Sequence, residues 1–176
     1  ALSLIGNIRG GLSFVVVVTN MIMAAVSGAA IASGAAVGSV MIPAMRKQGY
    51  PDGFSGAVNA VSATIGPIIP PSAGFIIFAS VSNASIGKLF VAGILPGTLL
   101  GGILITCCYI IAVRKKFPKG NKLSFKEIKS SFKQAIWSLL MPVIIIGGII
   151  SGIVTATEAG VIAIAYGLIV GLLIHK

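Results

Sequence analysis

Long uncharged stretches alternate with short clusters of lysine and arginine along this chain. The first stretch covers residues 10–45, and as one helix it would be about 54 Å long, against a membrane hydrocarbon core of about 30 Å. Its middle consists almost entirely of small residues, and Ser27 and Gly28 favour a turn there. Two arms of about 15 residues would each reach only about 23 Å. The pattern therefore predicts a re-entrant helical hairpin over residues 11–45, which enters and leaves the membrane on one side.

The second uncharged stretch, residues 53–87, carries a dense cluster of helix-breaking residues at its centre. Three prolines and a glycine occur within residues 66–72, and each proline removes a backbone donor and clashes with the preceding helical turn. A helix cannot continue through such a segment. The sequence predicts a discontinuous transmembrane helix over residues 53–82, because unwound backbone at membrane depth must be buried in protein or line a wet cavity.

The rest of the chain predicts further helices separated by a basic loop. Residues 89–113 have the length of an ordinary span, and a cluster of cations follows them. After a capping box from Ser124 to Glu127, apolar residues recur at spacings of three and four, and lysines take the opposite face. This pattern is typical of a helix on the membrane surface. We expect residues 114–137 to form a cytoplasmic basic loop and this amphipathic interfacial helix, and residues 138–176 to form two further transmembrane helices.

The composition also indicates a membrane protein. Hydrophobic residues make up 56% of the chain and charged residues only 9%, whereas a soluble domain needs about a quarter of its residues charged. The formal charge is +10, but lysine and arginine lie at the ends of apolar runs, as the positive-inside rule produces. We therefore expect a multi-pass protein in a lipid bilayer. Since aromatic and basic residues are not interleaved, we expect no nucleic-acid partner.

No residue pattern indicates catalysis or a bound cofactor. The single histidine is His175, near the end of the chain, so no nucleophile has a base beside it. Cys107 and Cys108 are adjacent inside an apolar run and indicate packing, and neither a metal-binding spacing nor a phosphate-binding loop is present. We therefore predict no enzyme activity. Because the chain starts at Ala1 in the middle of a pattern, we expect it to be a fragment of a longer protein.

The turn and the helix break are the segments best suited to bind an ion. Unwound backbone exposes carbonyl oxygens, which together with hydroxyls suit Na⁺, while half-helix N-termini suit carboxylates. The alternative for each small residue is close helix packing. Ser33 is a further candidate near the turn. The predicted sodium- or substrate-binding residues are Ser27, Gly28, Ser62, Thr64, Gly66, Pro67 and Ser72.

Four other polar residues are better explained by structure. Asn20 and Asn59 lie inside apolar segments, where hydrogen bonds between helices are favoured over contact with a substrate. Asp52 is predicted to be a helix N-cap. Glu158 completes a capping box that begins at Thr155, and we favour this role over a proton relay.

Several segments, taken in their order and spacing, resemble the large (DctM-like) membrane subunit of tripartite ATP-independent periplasmic (TRAP) transporters. The sharpest are residues 42–50 (IPAMRKQGY) and residues 62–72 (SATIGPIIPPS). Residues 4–12, residues 85–97 and residues 157–159 also fit the family. The resemblance covers the first half of the family's large subunit and the start of the second half.

The resemblance implies an elevator-type ion transporter, in which Na⁺ as the coupling ion drives uptake of an organic acid such as a C4-dicarboxylate or a sugar acid. A periplasmic binding protein would deliver the substrate, and a small membrane subunit would brace the large one in the bacterial inner membrane. Residues 10–113 would form the first half of the transport domain, and residues 138–176 would begin the second. The family's hairpin tip often has serine where this chain has Ala29, so one hydroxyl is absent here.

We hypothesise that Ser27, Gly28 and residues 64–67 converge on one Na⁺ beside the substrate cavity. Two alternatives stay open. A permease of another ion-transporter class, for divalent anions or arsenite, would share the hairpin and the broken helix but would need no binding protein. A non-transporting membrane scaffold would have straight helices across residues 66–72.

Overall fold

The computed structural model describes residues 9–117 and 125–173, and the regular elements in these ranges are α-helices. The all-helical prediction is confirmed for these residues, while the predicted cap residue Ser124 lies outside them. In chain order the helices are α1 (Gly11–Ser27), α2 (Ala30–Lys47), α3 (Asp52–Ala63), α4 (Ala73–Ser82), α5 (Ile86–Arg114), α6 (Phe125–Ile150) and α7 (Ala156–Leu173).

Helices α1 and α2 form a hairpin joined by Gly28 and Ala29. The arms have 17 and 18 residues, so each is about 26 Å long and shorter than a hydrocarbon core of about 30 Å. Gly28 has a φ of 60°, a left-handed conformation that suits glycine, and its N–H donates to the Ala24 carbonyl at 2.8 Å. The re-entrant path of this hairpin through a membrane stays a prediction.

The core of the described region surrounds the first half of α1. Every residue from Gly11 to Val17 is buried, and α2, α3 and α5 pack against this helix. At one end of the core the ring of Phe117 lies between two others, with centroid distances of 5.1 Å to Tyr50 and 4.9 Å to Phe54. These aromatic contacts hold the α2–α3 turn against the end of α5.

Helix α5 is the helix within the described ranges that is long and apolar enough to cross a membrane. It has 29 residues, which corresponds to about 43 Å. Most of its large apolar side chains are exposed. Such a surface requires lipid or further protein around it, which agrees with the composition of the chain.

Glycines at intervals of four form a stripe along one face of α5, and the first two of them lie against the break between α3 and α4. A Cβ atom on Gly93 would stand 2.5 Å from the Ile68 carbonyl oxygen, and one on Gly97 would stand 2.5 Å from Cγ1 of Ile69. A Cβ on Gly101 would overlap the side chain of α1 that packs there. The helix can approach the unwound backbone this closely only because it carries no side chains on this face.

We expect the substitution Gly93→Ala to destabilise the complete protein by roughly 1–3 kcal/mol. The new methyl group would overlap a main-chain oxygen, which cannot move without displacing the break. Gly102→Ala is the matched control, because no atom lies within 4 Å of its Cβ position on the same helix. Thermal unfolding in detergent should show a lower midpoint for Gly93→Ala alone, and equal midpoints would contradict this close contact.

Helix α6 runs without interruption from Phe125 to Ile150. The predicted interfacial helix and most of the span predicted after it therefore lie on one continuous helix. The assignment of residues 114–137 to the cytoplasmic surface and of residues 138–176 to two membrane spans stays a prediction.

The two predicted helix caps that lie wholly within the described residues have different outcomes. At the start of α7 the Thr155 N–H donates to the Glu158 carboxylate at 2.7 Å, and the Glu158 N–H donates to Oγ1 of Thr155 at 3.3 Å, so the capping box is confirmed. The prediction for Asp52 is wrong. Pro51 occupies the cap position of α3, and the Asp52 carboxylate instead accepts a hydrogen bond from Nε of Arg46 at 2.7 Å. The turn between α2 and α3 brings this cation close enough to compete for the carboxylate.

Candidate functional site

The helix break covers residues 64–72, between the end of α3 and the start of α4. Turn-type hydrogen bonds hold its first part, including one from the Gly66 N–H to the Ala63 carbonyl at 2.9 Å. Its prolines have no N–H to donate. Within the described residues, no hydrogen bond ends on the carbonyl oxygens of Gly66, Ile69 or Pro70. The break therefore holds main-chain oxygens that are available to another partner.

The tip of the hairpin packs directly against the break. A Cβ atom on Gly28 would overlap the Pro71 carbonyl oxygen. From the other side, a Cβ on Gly66 would stand 3.1 Å from both the Ala29 carbonyl carbon and the Ala30 nitrogen. The two interruptions of helical structure thus meet main chain to main chain, with Gly66 at Ala29 and Ala30, and with Gly28 at Pro71 rather than at residues 64–67. The binding of an ion at this contact stays a prediction.

Two serines face each other across the hairpin tip. The Ser27 and Ser33 hydroxyl oxygens are 2.9 Å apart, and the Ala29 N–H donates to the Ser27 hydroxyl at 3.4 Å. Ser27 is exposed, whereas Ser33 has no exposed surface. The structure therefore brings Ser33 to the tip together with Ser27 and Gly28.

The hydroxyls of the break mostly serve its own backbone. Thr64 is exposed and donates to the Val61 carbonyl at 2.7 Å. Ser72 is fully buried, donates to the Pro67 carbonyl at 2.6 Å and accepts from the Phe75 N–H at 3.3 Å, which makes it the N-cap of α4. These hydroxyls stabilise the unwound conformation and start the next half-helix at the break.

Ser62 lies in a separate, buried network of amides one turn before the break. Nδ2 of Asn20 donates to the Ser62 hydroxyl at 2.7 Å and to Oδ1 of Asn59 at 3.1 Å. Nδ2 of Asn59 donates in turn to the Gly34 carbonyl at 2.8 Å. The network joins α1, α2 and α3, so the preference for hydrogen bonds between helices at Asn20 and Asn59 is confirmed.

The direction of this network follows from its last acceptor. Because a carbonyl only accepts, the Asn59 amide must present Nδ2 to Gly34 and Oδ1 to Asn20, and Asn20 must then donate. Oδ1 of Asn20 is left buried without a partner among the described residues. The sequence indicated two buried amides, but it did not indicate that Ser62 belongs with them, since that depends on which face of α3 meets α1.

Asn20→Ala is expected to destabilise the complete protein by roughly 1–3 kcal/mol, because Oδ1 of Asn59 and the Ser62 hydroxyl would lose their buried donor. Thr98→Ala is the control, since that hydroxyl is exposed and bonds only to carbonyls of its own helix. Thermal unfolding should separate the two variants by several degrees. A midpoint for Asn20→Ala as high as that of the control would show that the network does not hold the three helices together.

An apolar cavity of about 510 Å³ lies behind the break, between α1, α5 and α6. The Thr98 hydroxyl is the polar side-chain group in its lining. Such a cavity offers no charged or amide partner to an acid, so the tip–break contact is the better candidate for ion or anion binding. The lining residues are Val18, Met21, Ile22, Ala25, Ile69, Thr98, Gly102, Ile105 and Pro142.

Comparison with known proteins gives consistent matches along the chain. The family model described as "Tripartite ATP-independent periplasmic transporter, DctM component" matches residues 1–176. The chain is 43% identical over 172 residues to the C4-dicarboxylate TRAP transporter large permease protein DctM of Pseudomonas aeruginosa, covering 98% of this chain and 40% of that protein. It is 45% identical over 175 residues to the 2,3-diketo-L-gulonate TRAP transporter large permease protein YiaN of Escherichia coli, covering 99% and 41%.

A third relative carries another substrate in its name. The chain is 40% identical over 176 residues to the sialic acid TRAP transporter permease protein SiaT of Haemophilus influenzae, covering 100% of this chain and 29% of that protein. The chain thus spans about two fifths or less of the length of these curated relatives.

Proposed function

This chain belongs to the DctM family of tripartite ATP-independent periplasmic (TRAP) transporters, and on that basis we propose that it is the permease part of a sodium-coupled secondary transporter for organic acids. The names of its relatives specify a C4-dicarboxylate, sialic acid and 2,3-diketo-L-gulonate. These substrates share an acidic group on a small polar molecule. The proposed substrate class for the whole protein is therefore a small organic acid anion.

The observation that carries this proposal is the contact between the hairpin tip and the break. Na⁺ prefers oxygen ligands, and unwound backbone in transporters supplies them as carbonyls. Gly66 contributes a carbonyl oxygen that accepts no hydrogen bond within the described residues, and Ser27 contributes an exposed hydroxyl at the tip. In our proposal the ion lies between Ser27–Gly28 and residues 64–67, with main-chain oxygens as its principal ligands.

Ser62 and Ser72, which were also predicted to bind the ion or the substrate, instead stabilise the backbone around this site. The hydroxyl of Ser72 holds the break through Pro67 and caps α4, and the hydroxyl of Ser62 is occupied by Asn20. We therefore assign Ser62 and Ser72 to positioning rather than to direct contact with the ion. The N-terminus of α4 begins at the break, and its partial positive charge favours a substrate carboxylate beside it.

The proposed partners follow from the family. A periplasmic binding protein would deliver the acid to the permease, and a small membrane subunit would support it in the bacterial inner membrane. The substrate site would then cross the membrane by an elevator-like movement of the hairpin and the broken helix together. Their main-chain contact supports a movement as one body, since no flexible side chain separates them.

Two alternative functions lead to different expectations. A permease for divalent anions or arsenite would share the broken helix but would work without a binding protein. A non-transporting scaffold would be expected to have straight helices, whereas residues 64–72 interrupt the helical structure here. The loss of several backbone hydrogen bonds in an apolar segment disfavours the scaffold.

The decisive experiment uses the complete permease, its small subunit and its binding protein in proteoliposomes. We expect uptake of one labelled acid from a panel of C4-dicarboxylates, sialic acid and diketogulonate to require both an inward Na⁺ gradient and the binding protein. Replacing the Na⁺ gradient with a K⁺ gradient should reduce uptake to the level of empty liposomes. Uptake that is indifferent to Na⁺, or that proceeds without the binding protein, would contradict the proposal.

A further inference from the structure

One end of the described helices collects exposed cations from three separate parts of the chain. The first part is Arg9, which precedes α1, and the second is the pair Arg46 and Lys47 at the end of α2. The third part is residues 114–116, at the end of α5, all of them basic and exposed. We call these six residues the basic end.

Packing of neutral residues brings the three parts together. A Cβ atom on Gly10 would overlap the side chain of Ala112, so the start of α1 lies against the end of α5. The Phe117 ring contacts both Tyr50 and Phe54, which places the α2–α3 turn beside the same helix end. The proximity of the cations is therefore built into the fold, despite their mutual repulsion.

The basic end is only weakly neutralised. Asp52 pairs with Arg46 at 2.7 Å, and both side chains are largely exposed. The six residues of the basic end and Asp52 together carry a net charge of +5. Lys88, the cation near the other end of α5, is 26 residues before Arg114, or about 39 Å away along the helix. The positive charge is thus concentrated at one end of the helices.

Apolar surface continues directly from the cations along α5. Ile110, Ile111 and Val113 are exposed to 46%, 36% and 42% in the turns before residues 114–116. A row of cations above exposed aliphatic side chains matches a phospholipid, whose anionic head group lies above its acyl chains. A soluble polyanion would match the charge but not the apolar surface beside it.

We propose that the basic end binds anionic phospholipid head groups, with the acyl chains lying along the exposed side of α5. The positive-inside rule alone would place the cations on one side of the membrane without any preference among lipids. The proposal requires more: the complete permease should retain anionic lipids selectively. It concerns lipid binding and not uptake, so it can fail or succeed independently of the proposed transport function.

The test uses the purified complete permease and native mass spectrometry after exchange into mixed micelles of phosphatidylglycerol and phosphatidylcholine. We expect the unaltered protein to retain phosphatidylglycerol in clear preference. The triple variant Lys47→Gln/Lys115→Gln/Lys116→Gln should bind it about tenfold more weakly or worse, since each cation near the surface adds to the attraction. Lys88→Gln is the matched control and should retain phosphatidylglycerol as the unaltered protein does.

Single variants at Lys47 and Lys115 guard against a folding or insertion defect in the triple variant. Each should lower retention about two- to fivefold at an unchanged unfolding midpoint. Equal retention of the two lipids by the unaltered protein would overturn the proposal, as would unchanged retention in the single and triple variants. Displacement of the lipid by millimolar inorganic phosphate would likewise overturn it, since it would indicate a site for free anions.

Discussion

Gly28→Ala is expected to reduce the proposed sodium-driven uptake by the complete protein about tenfold or more, a loss equivalent to about 1.4 kcal/mol. Gly28 has a φ of 60°, where a side chain is strained, and an added methyl group would also overlap the Pro71 carbonyl oxygen. Relief of that overlap requires the hairpin tip to move away from the break. Initial rates of labelled acid uptake in proteoliposomes under a fixed Na⁺ gradient measure the effect, with insertion checked by the amount of reconstituted protein.

The control Gly49→Ala separates backbone strain from the tip contact. Gly49 also has a positive φ, of 83°, but no atom lies within 4 Å of its Cβ position. This variant carries the strain of a left-handed alanine, roughly 1–2 kcal/mol, without any overlap. We expect its uptake to stay close to that of the unaltered protein. Similar losses in the two variants would show that strain, and not the contact with Pro71, accounts for the effect.

Gly66→Val will abolish uptake while the protein still inserts and folds. Its Cβ would stand 3.1 Å from three main-chain atoms, which belong to Ala29, Ala30 and Ala63, and further branching would force the break away from the tip. Pro67→Ala should act in the same direction for a different reason, because it restores an N–H donor and frees φ, which allows α3 to extend through the break. Uptake and the Na⁺ concentration for half-maximal rate are both measured.

Gly56→Val in the preceding helix α3 provides the comparison, since nothing lies within 4 Å of its Cβ position. It introduces the same β-branched side chain into α3 without touching the tip. Near-normal uptake is expected. If Gly66→Val and Pro67→Ala both transport at the rate of this control, the assignment of the ion to the tip–break contact is wrong.

The interruptions of the helices could be predicted because their causes are local. Three prolines within residues 66–72 prevent a helix wherever that segment lies, and the small residues around Gly28 favour a turn. Asp52 shows the limit of local reasoning. Its position after a turn is typical of a cap, but the same turn returns Arg46 to it, and an ion pair across the turn replaced the cap.

The hydrogen-bond partners of the hydroxyls in the candidate site were less predictable than the position of the site. The sequence offered several small hydroxyl residues with the same chemistry, and their partners depend on how whole helices face one another. The Ser33 and Ser27 hydroxyls lie close together across the tip, while the Ser62 hydroxyl accepts a hydrogen bond from Asn20, 42 positions earlier. The close packing of the glycine stripe that begins at Gly93 could not be predicted for a similar reason. Only the packing of α5 shows which atoms an added side chain would overlap.

The meeting of Gly28 with Pro71 and of Gly66 with Ala29 uses peptide groups on both sides. For the proposed ion site, substitutions of neighbouring side chains other than Ser27 would therefore do little to change which ion binds, since the Gly28 and Gly66 contacts are made with main-chain atoms. Selectivity would have to be altered at a distance, by reshaping the helices that set the spacing between the two peptide segments. The amides of Asn20 and Asn59 and the bare face of α5 are the natural places to begin.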